Sequence, residues 1–238
     1  MAARSLAVAK DAVRCLKQGN LASRPRRLMH HQTRPNPSAM YMDLAQAGSP
    51  ATSTTPLDIP DTQRNTLERA LRVDQAGELA ANYIYAGQMA VLGRDRAVGP
   101  LIQEMWDQEK KHLAVMNKMQ LQHRVRPTAL WDVARVAGFG LGAATAFMGR
   151  EAAMACTEAV ETVIGEHYDD QLREFKSLPQ SHPSVPVLKG VIEEFRDDEL
   201  GHLDIAVENH SQRAPAHALL STIVGAGCKV AIELCKRI

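Results

Sequence analysis

Aromatic residues are scarce in this 238-residue chain, which contains only four Phe, four Tyr and two Trp. The chain also lacks any run of alternating apolar and polar residues that would indicate a β-strand. Its apolar residues are mainly Ala, Leu, Val and Met, a set that favours helices. We therefore predict an all-α fold, and the length fits one domain with an N-terminal extension.

The cysteines are few and widely spaced. Cys15, Cys156, Cys228 and Cys235 form no Cys-x-x-Cys pair, which excludes a cysteine-rich zinc site. They are predicted to be free thiols in a reducing compartment rather than a disulfide framework. The sequence also lacks the His-Glu-x-x-His motif of zinc proteases.

The net charge of +1 hides an asymmetry along the chain. Residues 1–45 carry eight Lys and Arg but only two acids, so the remainder has a net charge of −5. A mildly acidic body argues against nucleic acid as a partner. The basic segment, residues 1–45, is predicted to be a mitochondrial transit peptide, with a disordered basic tail as the alternative. Residues 46–60 are predicted to be a linker, and residues 61–238 the folded domain.

Helical periodicity and Pro or Gly boundaries predict six helices in the folded domain. We expect them at about 61–93, 100–126, 128–148, 150–176, from 187 onward, and 215–235. Residues 136–148, within the third helix, carry no charge, but thirteen residues are too few to cross a bilayer, which needs about 20. The third helix is either a buried packing helix or an interfacial helix that dips into a membrane.

Two of these helices carry the motif Glu-x-x-His, as Glu109 with His112 and Glu199 with His202. Residues three apart lie on one face of a helix, and apolar neighbours on the same face predict that both pairs point inward. The helix before each motif carries one glutamate within its apolar stripe. These glutamates are Glu78, 31 residues before the first motif, and Glu161, 38 residues before the second. The pattern predicts two similar helical hairpins related by a pseudo-twofold axis.

Four glutamates and two histidines inside one bundle require a counter-charge. Burying an ionised carboxylate without a partner costs several kcal/mol, and four together would bind protons instead. Two divalent cations would balance the four carboxylates. Carboxylate and imidazole ligands without thiolate favour iron or manganese over structural zinc. Glu158 and His167 lie about 60° and 120° from the face of Glu161, so we leave them out of the ligand set.

Several segments of the chain resemble the demethoxyubiquinone hydroxylase family of ubiquinone biosynthesis. They are Arg72-Val-Asp-Gln-Ala-Gly-Glu78, Ile84-Tyr-Ala-Gly-Gln-Met89, Met105-Trp-Asp-Gln-Glu-Lys-Lys-His112, Ala153-Met-Ala-Cys-Thr157 and Arg196-Asp-Asp-Glu-Leu-Gly-His202. The resemblance covers about residues 62–238. It implies a ferritin-like four-helix bundle core with two additional helices, in which two iron ions form a catalytic di-iron centre. The implied ligands are Glu78, Glu109, His112, Glu161, Glu199 and His202.

The resemblance also implies an activity, the hydroxylation of the ring of demethoxyubiquinol with O2, with NADH as the electron donor. The implied location is the matrix side of the mitochondrial inner membrane, peripherally attached to the lipid surface. The implied partners are a ubiquinone-biosynthesis complex and, within it, a lipid-binding protein. The sequence does not decide which glutamates bridge the two irons.

Three further expectations concern the surroundings of the site. A metal-bound histidine needs a partner for its second nitrogen, and Asp198, Asp107 and Asp74 are candidates. Asp198 directly precedes a ligand glutamate, as an Asp does in several di-iron proteins that the chain resembles, and is expected to hold His112 of the opposite hairpin. Tyr168, close to Glu161 along the helix, is predicted to pack, with a redox or orienting role as the alternative. An apolar cavity is expected to admit a quinol ring, lined by residues such as Leu71, Met116 and Phe195.

Two other functions fit the same motif. One is a ferritin-like or rubrerythrin-like protein that oxidises iron or peroxide, which would not need the uncharged third helix. The other is a non-catalytic helical scaffold that binds quinone or lipid and keeps metal only for stability.

Overall fold

The computed structural model describes residues 36–238, which are mostly helical and contain no β-strand. The predicted all-α fold is therefore confirmed. Eight α-helices occur in this part of the chain. They are α1 (Pro37–Met42), α2 (Pro50–Ser53), α3 (Asp61–Leu92), α4 (Gly99–His123), α5 (Trp131–Phe147), α6 (Arg150–Glu174), α7 (Ser184–Glu208) and α8 (His217–Cys235).

Four long helices, α3, α4, α6 and α7, form the ferritin-like bundle. α3 pairs with α4 and α6 pairs with α7, and the two hairpins meet through α3 against α6 and α4 against α7. The predicted bounds of these helices agree with the structure to within a few residues. Pro100 lies in the first turn of α4, where a residue without an N–H breaks no helical hydrogen bond.

The two additional helices cover the bundle on the side of α3 and α6. α5 packs along α3, and α8 packs along α6. Each half of the molecule therefore contains a long helix, a Glu-x-x-His helix and an apolar covering helix, in that order. The internal repeat thus extends from the two predicted hairpins to two sets of three helices.

Glycines let α5 approach α3 closely. A Cβ added to Gly142 would collide with the carbonyl oxygen of Ile84, and one added to Gly138 would lie 2.7 Å from the carbonyl oxygen of Ala80. Gly140, between them, faces open space. The small residues on one side of α5 therefore set its distance from the bundle.

The opposite side of the bundle is covered by an N-terminal clasp, which we define as residues 37–55. Ser38 Oγ donates a hydrogen bond of 2.6 Å to Glu194 on α7. The buried Tyr41 donates a bond of 2.6 Å from its hydroxyl to Gln122 on α4. The clasp thus links α4 of the first hairpin to α7 of the second hairpin.

The clasp lies within the segment that the sequence analysis excluded from the fold. The two short helices of the clasp, of six and four residues, are too short to give a periodic pattern. Residues 1–35 lie outside the described part of the chain. The division into transit peptide, linker and domain stays a prediction.

We predict that Gly142→Ala destabilises the fold and that Gly140→Ala does not. The added methyl at 142 forces α5 away from α3, and overpacking of this kind costs about 1–3 kcal/mol. At 140 there is space for the methyl, and the better helix propensity of Ala should add up to about 1 kcal/mol. Chemical denaturation of the two variants tests this, and equal stabilities would contradict the close packing of α5.

Candidate metal centre

The six predicted ligand residues converge at the centre of the bundle. Each has at most 3% of its surface exposed. They come one or two from each bundle helix: Glu78 from α3, Glu109 and His112 from α4, Glu161 from α6, and Glu199 and His202 from α7. The inward orientation predicted from periodicity is thus observed for all six.

The six side chains form two overlapping groups. The ligand atoms of Glu78, Glu109, His112 and Glu199 lie within 4.8 Å of one another, and so do those of Glu109, Glu161, Glu199 and His202. Glu109 and Glu199 belong to both groups. Glu78 belongs only to the group with His112, and Glu161 only to the group with His202. The geometry thus separates two shared glutamates, Glu109 and Glu199, from two single-group glutamates, Glu78 and Glu161, each of which belongs to one group.

Each histidine turns one ring nitrogen towards the carboxylates and the other away. His112 Nδ1 lies 3.2 Å from Glu199 Oε1, and its Nε2 lies 3.0 Å from Asp198 Oδ2. This confirms the predicted pairing of His112 with Asp198. His202 Nδ1 lies 3.2 Å from Glu109 Oε1, and its Nε2 lies 2.6 Å from Gln108 Oε1.

Gln108 is a functional residue that the sequence analysis missed. It directly precedes Glu109, just as Asp198 directly precedes Glu199. In each hairpin the residue before the glutamate of Glu-x-x-His therefore contacts the histidine of the other hairpin. The repeat carries the signal for this role, because position 108 is equivalent to position 198.

Two buried tyrosines hold the single-group glutamates across the bundle. Tyr85 donates a hydrogen bond of 2.8 Å from its hydroxyl to Glu161, and Tyr168 donates one to Glu78. Each tyrosine lies seven residues after the glutamate of its own helix. Packing was the main prediction for Tyr168 and an orienting role its alternative; the structure favours the alternative, because the Tyr168 hydroxyl orients Glu78 of the opposite hairpin.

The other candidate acids do not contact the ligand histidines. Asp107 is exposed and bonds Lys110 at 2.7 Å. Asp74 is buried and contacts His167 Nε2 at 3.1 Å and Gln171 at 2.5 Å. His167 belongs to neither ligand group, as its direction on α6 predicted.

Burial and crowding shift the pKa values throughout the cluster. Burial raises the pKa values of Glu78 and Glu161, and it raises that of Glu109 to about 8. Burial alone would lower the pKa of His202, but the adjacent carboxylates of Glu109 and Glu199 raise it to about 11. Burial alone would likewise raise the pKa of Glu199, but the adjacent imidazoles of His112 and His202 lower it. Without cations, the cluster must therefore hold protons.

The donor atoms fit divalent cations. Both oxygens of Glu109, Oε2 of Glu78 and Nδ1 of His112 are buried and have no hydrogen-bond partner among the described residues. Buried polar atoms are almost always satisfied, so an unsatisfied set facing one point indicates a missing positive partner. Four carboxylates and two imidazoles suit iron or manganese.

An apolar cavity of about 280 Å³ leads to this centre between α3, α5, α6 and α8. The buried Glu78, Glu109, Glu161 and Glu199 line its inner end. Its outer lining includes Ala134 and the exposed residues Val133, Val230 and Leu234. The predicted lining was wrong: Leu71, Met116 and Phe195 are fully buried in the packed core. They share the inward direction, but they lie where the two hairpins pack without a gap.

The fold and the site together define a class: ferritin-like bundles with a buried carboxylate–histidine centre. Comparison with known families makes this more specific. The family described as "Ubiquinone biosynthesis protein COQ7" matches residues 65–235. The chain belongs to this family.

Relatives from distant organisms match most of the chain. A Bos taurus protein named "NADPH-dependent 3-demethoxyubiquinone 3-hydroxylase, mitochondrial" is 49% identical over 183 residues, covering 76% of this chain and 82% of its own length. The Saccharomyces cerevisiae "5-demethoxyubiquinone hydroxylase, mitochondrial" is 44% identical over 191 residues, with the same two coverages. A Rhodospirillum rubrum "3-demethoxyubiquinol 3-hydroxylase" is 45% identical over 172 residues, covering 72% and 78%. The mammalian name specifies NADPH, where the resemblance implied NADH.

We predict that His112→Ala lowers the metal content of the purified protein and that His167→Ala leaves it near two ions per chain. His112 Nδ1 faces the shared carboxylates, whereas His167 is turned towards Asp74. Elemental analysis of both variants measures this. An equal loss of metal in the two variants would contradict the ligand set.

We predict that the free energy of unfolding of the metal-free protein falls as the pH rises from about 6.5 to about 8. In this range the raised pKa values of Glu109, about 8, and His202, about 11, keep protons on the folded protein that the unfolded chain has released. Bound cations replace those protons, so cation binding strengthens as pH rises. Calorimetric melting of both forms should show a gap in melting temperature that widens with pH, and a narrowing gap would contradict the charge argument.

Proposed function

We propose that this protein is an oxygenase of ubiquinone biosynthesis, which hydroxylates the ring of demethoxyubiquinol with O2 at a centre of two iron ions. The single observation that carries the proposal is the buried pair of overlapping carboxylate–histidine groups at the inner end of an apolar cavity. The names of the relatives, demethoxyubiquinone hydroxylases from animals, yeast and bacteria, give the substrate class.

Glu109 and Glu199 would help to hold both iron ions, because each lies in both ligand groups. Glu78 with His112, and Glu161 with His202, complete one position each. Four carboxylates then balance the charge of two Fe(II) ions. When bound, the iron pair supplies O2 activation and two electrons, so that one oxygen atom enters the ring and the other leaves as water.

The side chains around the ligands hold this arrangement in place. Tyr85 and Tyr168 each fix one carboxylate across the bundle, so the glutamates keep their directions when the cavity exchanges its contents. Asp198 and Gln108 fix the histidine rings and keep Nδ1 free to bind a cation. The six ligand residues are almost fully buried, and the cavity that reaches them is lined mainly by apolar residues, which keeps bulk water away from the reacting centre.

The cavity suits the head of an amphiphilic quinol. Its wall is built mainly from small and branched apolar residues of α3, α6 and α8. The carboxyl and imidazole groups of its lining are those of the four glutamates at the inner end and of Asp74 and His167, which contact each other. A ring of this kind would meet the carboxylate cluster while its polyprenyl tail leaves through the mouth. This cavity favours the hydroxylase over ferritin-like or rubrerythrin-like oxidation, because iron ions and peroxide need no apolar channel. A scaffold that merely binds quinone would not need two ligand groups with shared carboxylates.

A membrane surface is the proposed site of action. The outer faces of α5 and α8 expose large apolar residues, including Val136 at 75%, Phe147 at 79%, Leu219 at 61% and Ile223 at 60%. Among the described residues, α8 is long and apolar enough to cross a membrane by length and composition alone. Since α8 packs along α6 and contributes to the cavity wall, we propose that it lies in the interface beside α5 rather than across the bilayer.

The location is mitochondrial, in line with the names of the animal and yeast relatives. The matrix side of the inner membrane, and work within a biosynthetic complex that includes a lipid-binding protein, belong to the proposal. The electron donor is proposed to be a reduced nicotinamide nucleotide, and the relatives' names favour NADPH over NADH.

A single-turnover reaction tests the hydroxylase proposal. Iron-loaded, chemically reduced protein is mixed with a short-tail demethoxyubiquinol and ¹⁸O₂, and mass spectrometry should find one ¹⁸O in the ring. Ala134→Trp should block the mouth of the cavity and abolish this product with two irons retained. Ala137→Trp, on the exposed side of the same helix, serves as the matched control. Oxidation of the iron without labelled product would instead support the oxidase alternative.

Vesicle co-sedimentation tests the membrane proposal. Val136→Asp combined with Ile223→Asp should weaken binding to phosphatidylcholine–cardiolipin vesicles by about tenfold or more, because two exposed apolar anchors become charged. Leu121→Asp changes an equally exposed residue of α4, away from α5 and α8, and should leave binding unchanged. Failure of the intact protein to sediment with vesicles would contradict the proposal.

A further inference from the structure

The two halves of the centre match closely in their carboxylates but differ behind their histidines. Tyr168 fixes Glu78 just as Tyr85 fixes Glu161, so the two single-group carboxylates have equivalent supports. The outward nitrogen of His112 meets the carboxylate of Asp198, whereas that of His202 meets the amide oxygen of Gln108. The same position of the repeat thus carries a charged group in one half and a neutral one in the other.

This difference bears directly on how strongly each imidazole holds a cation. When a histidine donates its N–H to a carboxylate, electron density on the other ring nitrogen rises and the ring becomes a stronger ligand. Hydrogen bonds between a charged and a neutral group are roughly twice as strong as those between neutral groups. An amide oxygen fixes the ring direction but does so without a negative charge. His112 is therefore the stronger metal ligand of the two histidines.

The aromatic contacts of the two histidine rings also favour His112. The ring of His112 is stacked on that of Phe195, with centroids 3.9 Å apart and planes inclined by 23°. His202 has only an edge contact with Tyr85, with ring centroids 5.9 Å apart. The ring of His112 is thus held in its binding direction on one face as well as at its outer nitrogen. Less freedom has to be lost when it binds a cation.

We propose that the two metal positions are unequal, and that the position of Glu78 and His112 binds its divalent cation more tightly than the position of Glu161 and His202. This inference rests on the proposed metal centre. Asp198 and Gln108 are positioning residues, which act on the cations through the histidines. In the general case, a change of such a partner alters metal affinity by about 10–100-fold, and we expect a difference between the positions of about tenfold or more.

The inference is tested by measuring, under anaerobic conditions, the rate at which the full-length protein releases Fe(II) to a chelator. Two phases of one ion each should appear, with rates that differ about tenfold or more. Asp198→Asn, which keeps the shape and removes the charge, should accelerate only the slow phase, and Gln108→Glu should slow only the fast one. Asp107→Asn, which changes an exposed carboxylate next to Gln108, should alter neither phase.

Two ligand variants identify the positions. Glu161→Ala removes a ligand unique to the His202 position and should leave one tightly held ion, whereas Glu78→Ala should leave one weakly held ion. Release of both ions in one phase from the unmodified protein, or a slow phase unchanged by Asp198→Asn, would overturn the inference alone. Failure of the unmodified protein to hold two ions would overturn the proposed centre as well. Circular dichroism of the metal-free variants separates misfolding from weak binding.

Discussion

The mutual repulsion of four buried carboxylates is the constraint on which the rest of this structure depends. Glu78, Glu109, Glu161 and Glu199 face one another with almost no exposure to water. The buried residues of the described part include no Lys or Arg, so only two histidines stand nearby as potential positive charges. Burial, together with this repulsion, raises three of its carboxyl pKa values, so protons can neutralise the cluster. Cations neutralise it better, because they also satisfy the oxygens that lack hydrogen bonds.

The internal repeat explains how the chain assembles such a cluster. Polar contacts recur at equivalent places: Asp74 bonds Gln171, and Thr157 of the other half bonds Gln88. Each pair joins a residue four positions before one single-group glutamate to a residue ten positions after the other. Because the two halves have the same framework, each half contributes two glutamates and one histidine to the centre. The halves nevertheless differ behind the histidines and in the cavity, which opens beside Glu78 and Tyr168.

Periodicity and spacing were sufficient to predict the helices, the six inward residues and the exclusion of His167. They succeed because a helix converts sequence spacing into direction. They do not give the position of a residue along the bundle axis or the size of the gaps between helices. For this reason they wrongly predict that Leu71, Met116 and Phe195, which lie in the packed core, line the cavity. Nor can they detect the clasp, whose contacts come from side chains such as Ser38 and Tyr41 on very short helices. Gln108 was missed because its role follows only from its equivalence to Asp198.

The two sides of the bundle are closed in different ways, and this difference decides what can reach the centre. On the side of α4 and α7, the clasp adds a layer tied by hydrogen bonds to Glu194 and Gln122. On the side of α3 and α6, the covering helices α5 and α8 leave a cavity between them and expose apolar faces outward. A hydrophobic substrate dissolved in a membrane beneath α5 and α8 would therefore meet the mouth of the cavity without crossing water. The same arrangement denies water a polar route from the opposite side, which is the condition that a buried oxygen-activating centre requires.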